Sequence, residues 1–381
     1  MLTILYLMGT RESVAAPLTR GMFFDRRTGV VCMFVGDAWY VAAWSDEVTA
    51  SAPFARRVCG QPVVLFRSAE GEPAALYDSC CHRGAPLSVG NVLSKGLQCA
   101  YHGLVFAADG RCIEIPGQTL VPAKAKVRSY PVVEKDQFIW IWMGDPARAD
   151  PRLLIDYPFH QDKRWPHRHG VYHVKSSYLM LADNLMDLTH LAYVHAANVG
   201  GEAKAHIEAK TEVRPTDRGV FVKRWMPGCP PPPTYRKSVP LPERVDRWQE
   251  FEFVAPSAVL QWNGAVAVGS GAEDPARREG GFSLRLLHCL TPETETTCHY
   301  FWSAAHGHRA DEPEATEILI EEITAALEED KRIVEIQQAR VKETGESWLV
   351  DIRSDAPRVA MRRALSKVSA SSGPVMSGPT V

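Results

Sequence analysis

Two short cysteine–histidine motifs, Cys80-Cys81-His82 and Cys99-Ala100-Tyr101-His102, constrain this chain more than any other feature. Each puts a thiol and an imidazole in one tight loop, and sixteen residues separate the loops. That interval suits a hairpin that folds back and gathers four donors in one place. Gly84 and Gly103 follow the motifs and let backbone approach a bound inorganic group closely. Around them, from Trp39 to about Trp142, run short β-type segments broken by Gly, Pro and Asp; 62–66, 74–77 and 138–142 are examples. They predict a small antiparallel β domain.

Two thiolates and two imidazoles fit two kinds of metal site. One is a two-iron, two-sulfide cluster of the Rieske type, in which two histidines replace two cysteines on one iron. The other is a structural zinc ion with two cysteines and two histidines. Zinc fingers pair cysteine with cysteine and histidine with histidine, whereas each half here holds one of each, which favours the cluster. Cys80, His82, Cys99 and His102 are its expected ligands. The six scattered cysteines, 32, 59, 112, 229, 289 and 298, show no framework spacing and read as free thiols.

A second donor set lies further along. Residues 179 to about 195 read as one helix, with Asn184, Asp187 and His190 at i, i+3 spacing on one face. His195 follows His190 by five residues, about 140° round an ideal helix, so both reach one metal only if the helix ends or widens there. A long helix expected over 314–342 carries a stripe of Leu319, Ile323, Ala326, Ile333 and Gln337, and its missing step is Asp330. A carboxylate at a core position needs a partner, either a metal or a buried arginine. Two histidines and one carboxylate form the facial triad of non-haem Fe(II) oxygenases, which assigns His190, His195 and Asp330.

The rest of the chain predicts an α+β second domain, an antiparallel sheet with helices packed on it. Strands are expected near 208–226, 248–256, 258–268, 281–290 and 297–304, and the proline-rich 227–233 as irregular linker. The domain boundaries read as 33–148 and 149–369, divided at the turn-rich 145–151. A short basic helix is expected after Ala356. Residues 1–32 and 370–381 are expected to be a disordered extension and tail. The apolar start has no basic residue before it and does not read as a secretory signal. A formal charge of −2 without a basic run excludes a nucleic-acid surface, and no apolar stretch approaches the ~20 residues that span a bilayer.

The stretches 80–87, 99–104, 184–195, 291–300 and 329–331 resemble the Rieske non-haem iron oxygenases, specifically their terminal oxygenase α subunits. The likeness covers nearly all of 33–345 and is nearest to the vanillate and dicamba O-demethylase, toluenesulfonate methyl-monooxygenase and phenoxybenzoate dioxygenase group. It implies a Rieske domain joined to a helix-grip-like catalytic sheet, with one [2Fe–2S] cluster and one mononuclear Fe(II). It also implies a homotrimer in which one subunit's cluster feeds its neighbour's iron, with Asp187 bridging the two histidine sets. Asn184 matches a residue near the iron, and His288 one that contacts a substrate carboxylate. Cys81 and Ala100 stand where proline is common, but neither is a ligand.

No flavin, nicotinamide or plant-type ferredoxin fingerprint is present, so electrons are expected from a separate flavin- or ferredoxin-type reductase, ultimately from NADH or NADPH. The expected activity is cytoplasmic oxygenation of an aromatic acid, aryl ether or aryl methyl compound with O₂. Monooxygenation or O-demethylation is preferred to ring dioxygenation or angular attack on a diaryl ether. A Rieske electron carrier without oxygenase chemistry, and a sheet-based binder with structural zinc, are the competing classes.

Overall fold

In the N-terminal domain three small antiparallel sheets surround the cysteine–histidine loops. The computed structural model describes residues 34–346, 348–375 and 378, with the backbone of a short strand pair, Phe23–Phe24 and Val31–Cys32. The Cys99 loop joins two strands of a sheet ordered Cys112–Glu114, Val105–Phe106, Gly96–Gln98, Asn91–Leu93, and the Cys80 loop leads into that sheet from strand Pro73–Tyr77. A second sheet runs Ser129–Tyr130, Pro73–Tyr77, Gln61–Arg67, Phe54–Val58, and a third Val132–Lys135, Phe138–Met143, Ala38–Trp44. Both Phe138–Met143 and Ala38–Trp44 are buried along their whole length, which is why they read as continuous apolar runs. At the junction, Asp145 and Asp150 each accept from a backbone N–H to cap a single helical turn, Pro146–Arg148 and Pro151–Leu153.

The second domain is built on a seven-stranded, wholly antiparallel sheet. Its order is His167–Val174, Thr297–His306, Phe282–Thr294, Ala258–Ala267, Val245–Val254, Gly219–Cys229, Lys210–Thr216. The long helix Pro313–Thr344 packs on it, opened by Pro313 at its first position and closed by Gly345 at φ 72°. Helix Tyr178–Met186 lies between this helix and the C-terminal helix Ala356–Ser371. Glu335 and Gln338 of the long helix accept from the backbone N–H of Lys175 (2.9 Å) and Ser177 (2.8 Å), and Asp183 is gripped by Arg362 at 2.7 Å. These contacts set the register of the long helix, which carries Asp330, against the segment that leads on to His190 and His195. The domains share a core: Trp39, Val41, Trp44 and Phe138 pack with Leu287, Cys289 and Phe301.

The α+β expectation holds, with five local corrections. Strand His167–Val174 was not expected; it is a partly exposed edge strand rich in His and Arg and lacks apolar alternation. The segment near 208–226 is a hairpin, Lys210–Thr216 and Gly219–Cys229, with a two-residue turn at Asp217-Arg218. The expected linker 227–233 is partly regular: the strand continues to Cys229 across a register shift after Met226, where Pro227 has no ladder bond to give, and Pro233 opens a short helix. On the long helix the buried stripe passes from Asp330 to Val334, leaving Ile333 and Gln337 exposed. The tail is ordered through 375, where Gly373 N–H donates to Asp37 Oδ2 at 2.7 Å and Val375 packs on the core. Residues 376–377 and 379–381, and most of the expected extension 1–32, lie outside the described residues.

Candidate cluster loops and metal centre

The two cysteine–histidine loops have the same backbone. Cys80 N–H donates to Ala85 O (2.8 Å) and Gly84 N–H to Cys80 O (2.9 Å); Cys99 N–H donates to Leu104 O (2.8 Å) and Gly103 N–H to Cys99 O (3.0 Å). Both glycines need positive φ, 71° and 74°, which keeps each loop tight. The thiols of Cys80 and Cys99 are buried against Leu87, Leu97, Leu104 and Phe106, whereas His82 and His102 are exposed, with ring centroids 4.5 Å apart. Burial, with Cys99 close by, pushes the Cys80 thiol up to about 11, so a bound metal must displace its proton.

The second donor set is assembled by a break in the expected helix. Tyr178–Met186 ends at Asp187 (φ −120°, ψ 93°), a four-residue helix Leu191–Val194 follows, and a π-helical turn spans Ala196–Gly200. Asn184, Asp187 and His190 therefore do not share one helical face. The cause is local: the Asp187 carboxylate accepts from Thr189 N–H (2.9 Å) and Oγ1–H (2.7 Å), which competes with helix continuation. His190 and His195 flank the short helix and converge on Asp330. Their Nε2 atoms lie 3.3 and 3.0 Å from Asp330 Oδ1. Burial pushes the Asp330 carboxyl up, but the two imidazoles outweigh it and hold the group well below the usual carboxylate range.

These donors fit a metal. His190 Nε2 is buried and, although 3.3 Å from Asp330 Oδ1, makes no well-aligned hydrogen bond, a costly arrangement unless something binds there. Asn184 Nδ2 donates to Asp330 Oδ1 at 3.0 Å, while its own Oδ1 is buried without a partner. Each histidine is oriented from behind, which leaves both Nε2 atoms toward Asp330. His190 Nδ1 meets the main-chain carbonyl of Asp187, and His195 Nδ1–H donates to Glu329 Oε2 at 2.7 Å. Within one chain Asp187 thus holds His190 through its backbone, not its carboxylate. Glu329, next to Asp330, lies off the stripe that pointed to Asp330 and is not among the expected site residues. Replacing it with glutamine should weaken retention of the mononuclear iron about 10–100-fold, measured as iron content after dialysis against graded chelator, with labile sulfide unchanged.

The donors open on a cavity between the sheet and the long helix. Leu185, Leu188, Leu284, Leu286, Ile323 and Leu327 form its apolar wall. Its polar side chains besides the metal donors are Tyr235, Arg247, Gln249, Gln261, Asn263 and His288. His288 is 1% exposed; its Nδ1 lies 2.7 Å from the Tyr300 hydroxyl and its Nε2 has no partner. Burial pulls its pKa down to about 4, so the ring is neutral at physiological pH. Arg247, Gln249 and Asn263 were missed in the sequence, although polar residues at alternate positions of otherwise apolar strands were the available signal.

An antiparallel sheet domain with a buried His–His–carboxylate set, joined to a domain that offers two cysteines and two histidines, defines an oxygenase fed by an iron–sulfur centre. The comparisons agree. Residues 38–131 match the Rieske [2Fe-2S] domain, and 174–371 match the vanillate O-demethylase oxygenase C-terminal domain. The chain belongs to the Rieske non-haem iron oxygenases and is an oxygenase component of a multicomponent system. It is 36% identical to the toluene-4-sulfonate monooxygenase system iron-sulfur subunit of Comamonas testosteroni, over 85% of this chain and 94% of that one. It is 39% identical to the dicamba O-demethylase oxygenase component of Stenotrophomonas maltophilia, over 81% and 89%. The crystal structure of dicamba monooxygenase bound to 3,6-dichlorosalicylic acid superposes with a TM-score of 0.82 at 36% identity, covering 88% of this chain and 98% of that one. Its cofactors are accordingly a [2Fe–2S] cluster and a mononuclear non-haem iron.

Proposed function

We propose that this chain monooxygenates an aromatic acid, removing the methyl group of an aryl methyl ether or hydroxylating an aryl methyl group. In this reading His190, His195 and Asp330 hold the mononuclear iron, and Cys80, His82, Cys99 and His102 hold the cluster. The observation that carries it is the buried donor trio, with a His190 Nε2 that makes no well-aligned hydrogen bond, opening on a largely apolar cavity. The relatives named for vanillate, dicamba and toluene-4-sulfonate support an aromatic acid.

When bound, the cluster supplies single electrons and the mononuclear iron supplies the oxidising chemistry on O₂. The protein's part is to bind and position. The leucine and isoleucine wall excludes water from the reacting ring and its substituent. Asn184 restrains the Asp330 carboxylate, while Glu329 and the Asp187 carbonyl keep both imidazoles oriented. His288 Nε2 offers one polar contact to the substrate.

A homotrimer is part of the proposal. His82 and His102 are exposed at the tip of one domain, and Asp187 is half-buried beside His190 in the other, which suits a contact between neighbouring subunits. There the Asp187 carboxylate would exchange its present Thr189 contacts for the neighbour's cluster histidine. A separate reductase delivers the electrons. A cytoplasmic site is proposed on the free state of the eight described cysteines. No helix among the described residues is long and apolar enough to cross a membrane.

Product analysis under ¹⁸O₂, across methylated aromatic acids and methyl ethers, tests the chemistry. One labelled atom per product supports the reading. Two labelled atoms would make the enzyme a ring dioxygenase, including one that attacks a diaryl ether at the angular position. Absence of substrate-dependent O₂ uptake would leave only an electron carrier.

A further inference from the structure

Arg247 is the charged side chain of the cavity that neither metal site employs. It sits on strand Val245–Val254, is 1% exposed and lines the cavity. Its Nη1 donates to Gly200 O (2.9 Å) and its Nη2 to Val199 O (3.0 Å), while its Cζ lies over the Tyr235 ring, 5.1 Å from the centroid. Its Nε is buried without a partner, and among the described residues Arg247 forms no ion pair with a carboxylate within 4.0 Å. A buried cation ordinarily requires an anion.

The surroundings add to this positive charge. Arg224, on the adjacent strand and 3% exposed, has among the described residues no carboxylate within 4.0 Å, feels the Asp187 charge only through space, and donates to Leu188 O, His206 O and Gln249 Oε1. Burial, and next to it the charge of Arg247, pulls His206 down to about 3. Arg224 donates to the carbonyl oxygen of Gln249 at 2.7 Å, which fixes the amide's orientation and leaves its NH₂ group as the donor it offers the cavity. One end of the cavity therefore presents a guanidinium and an amide donor; Asp187 acts on Arg224 through space, and among the described residues no carboxylate is ion-paired with Arg247.

We propose that Arg247 is a specificity-determining residue that seats the anionic group of the aromatic substrate, a carboxylate or sulfonate, with the Gln249 amide beside it. The inference rests on the cavity being the substrate's, as proposed above. Strand register puts this seat far from His288. Arg247 lies opposite Ala265, and Ala265 opposite Phe282, whereas His288 is six residues further along that strand, about 20 Å at ~3.4 Å per residue. His288 then meets an uncharged acceptor of the substrate, such as an ether or hydroxyl oxygen, and the charge is read by Arg247.

The test uses calorimetric titration of the oxidised holoenzyme with two matched pairs: 4-methylbenzoate against 4-methylbenzamide, and toluene-4-sulfonate against toluene-4-sulfonamide. The two pairs separate carboxylate from sulfonate recognition. The wild type should bind at least one anion tenfold or more tighter than its amide. Arg247→Met should weaken that anion at least tenfold and change the amide less than threefold, and Arg247→Lys should restore part of the preference. His288→Gln should weaken anion and amide alike.

Equal binding of anion and amide by the wild type overturns the proposal. So does a preference that survives Arg247→Met, or a Met variant that loses both ligands equally, since that would mark a purely structural clamp on Val199 and Gly200. Should the Met variant fail to fold, the wild-type ratio and the Lys variant decide by the same criteria. Substrate-dependent O₂ uptake on the same samples, with a reductase supplied, reports on the oxygenase reading separately, because preferential binding of an anion does not require turnover.

Discussion

Asp330→Ala should take the iron content from about three to about two per chain while labile sulfide stays at about two. The variant removes the one carboxylate that both His190 Nε2 and His195 Nε2 face. Glu329 cannot replace it, because its carboxylate is engaged on the far side of the His195 ring, at Nδ1. Two imidazoles alone make a weak site for Fe(II), and substrate-dependent O₂ uptake should fall by on the order of a thousandfold or more. The electron paramagnetic resonance signal of the reduced cluster should persist, since Cys80 and Cys99 belong to a separate apolar cluster of the other domain. Retention of the third iron would show that Asp330 is not a ligand. Loss of all three would show that the cluster and the catalytic domain fold as one unit through this residue.

Acid should unfold the chain well above the usual carboxylate range. His160, His288, His299 and His308 are each pulled down to about 4, and His206 to about 3, in every case by burial first. His160 illustrates why: its two ring nitrogens are taken by Asp136 O and Ser303 Oγ, both at 2.7 Å, in the middle of packed aromatic rings. In the unfolded chain each of these rings takes up a proton near pH 6.5, whereas in the folded chain it does not until about pH 4 or below. Stability is therefore complete above pH ~6.5 and falls as pH drops toward 4, by on the order of 1 kcal/mol per ring per pH unit. Five rings together can remove on the order of 10 kcal/mol, comparable with the whole stability of a domain. Urea melts between pH 7.5 and 5 should show the midpoint falling steeply below pH 6.5. A midpoint that stays level across that window would mean these histidines are solvated.

The features most readily read from the sequence were those whose physics is local. The cluster loops needed only a thiol, an imidazole and a glycine at fixed short spacing, and the two loops adopt matching hydrogen bonds. Asp330 was legible because a carboxylate interrupts an apolar stripe, even though the stripe passes on to Val334 rather than Ile333. The break at Asp187 was not legible, because its carboxylate competes with the helix only once Thr189 folds back on it. Strand His167–Val174 escaped notice since an edge strand needs no apolar face, and its partner Thr297–His306 supplies the pairing. The polar end of the cavity was hidden for a related reason. Arg224, Arg247 and Gln249 gain their meaning from neighbours on other strands, which spacing along one segment does not reveal.

The core shared by the two domains also governs how far this enzyme can be taken apart. Trp44 Nε1–H donates to Gly170 O at 3.0 Å, Thr291 Oγ1–H to Val41 O at 2.6 Å, and Cys59 N–H to Pro292 O at 2.7 Å. A fragment cut at the 145–151 junction would bare Trp39, Trp44 and Phe138 to water and orphan those polar groups. The redox module is thus not a detachable cartridge. Exchanging it for one of different potential would require carrying over the hairpin Phe282–His306 on which it rests, and with that hairpin His288 and one wall of the cavity.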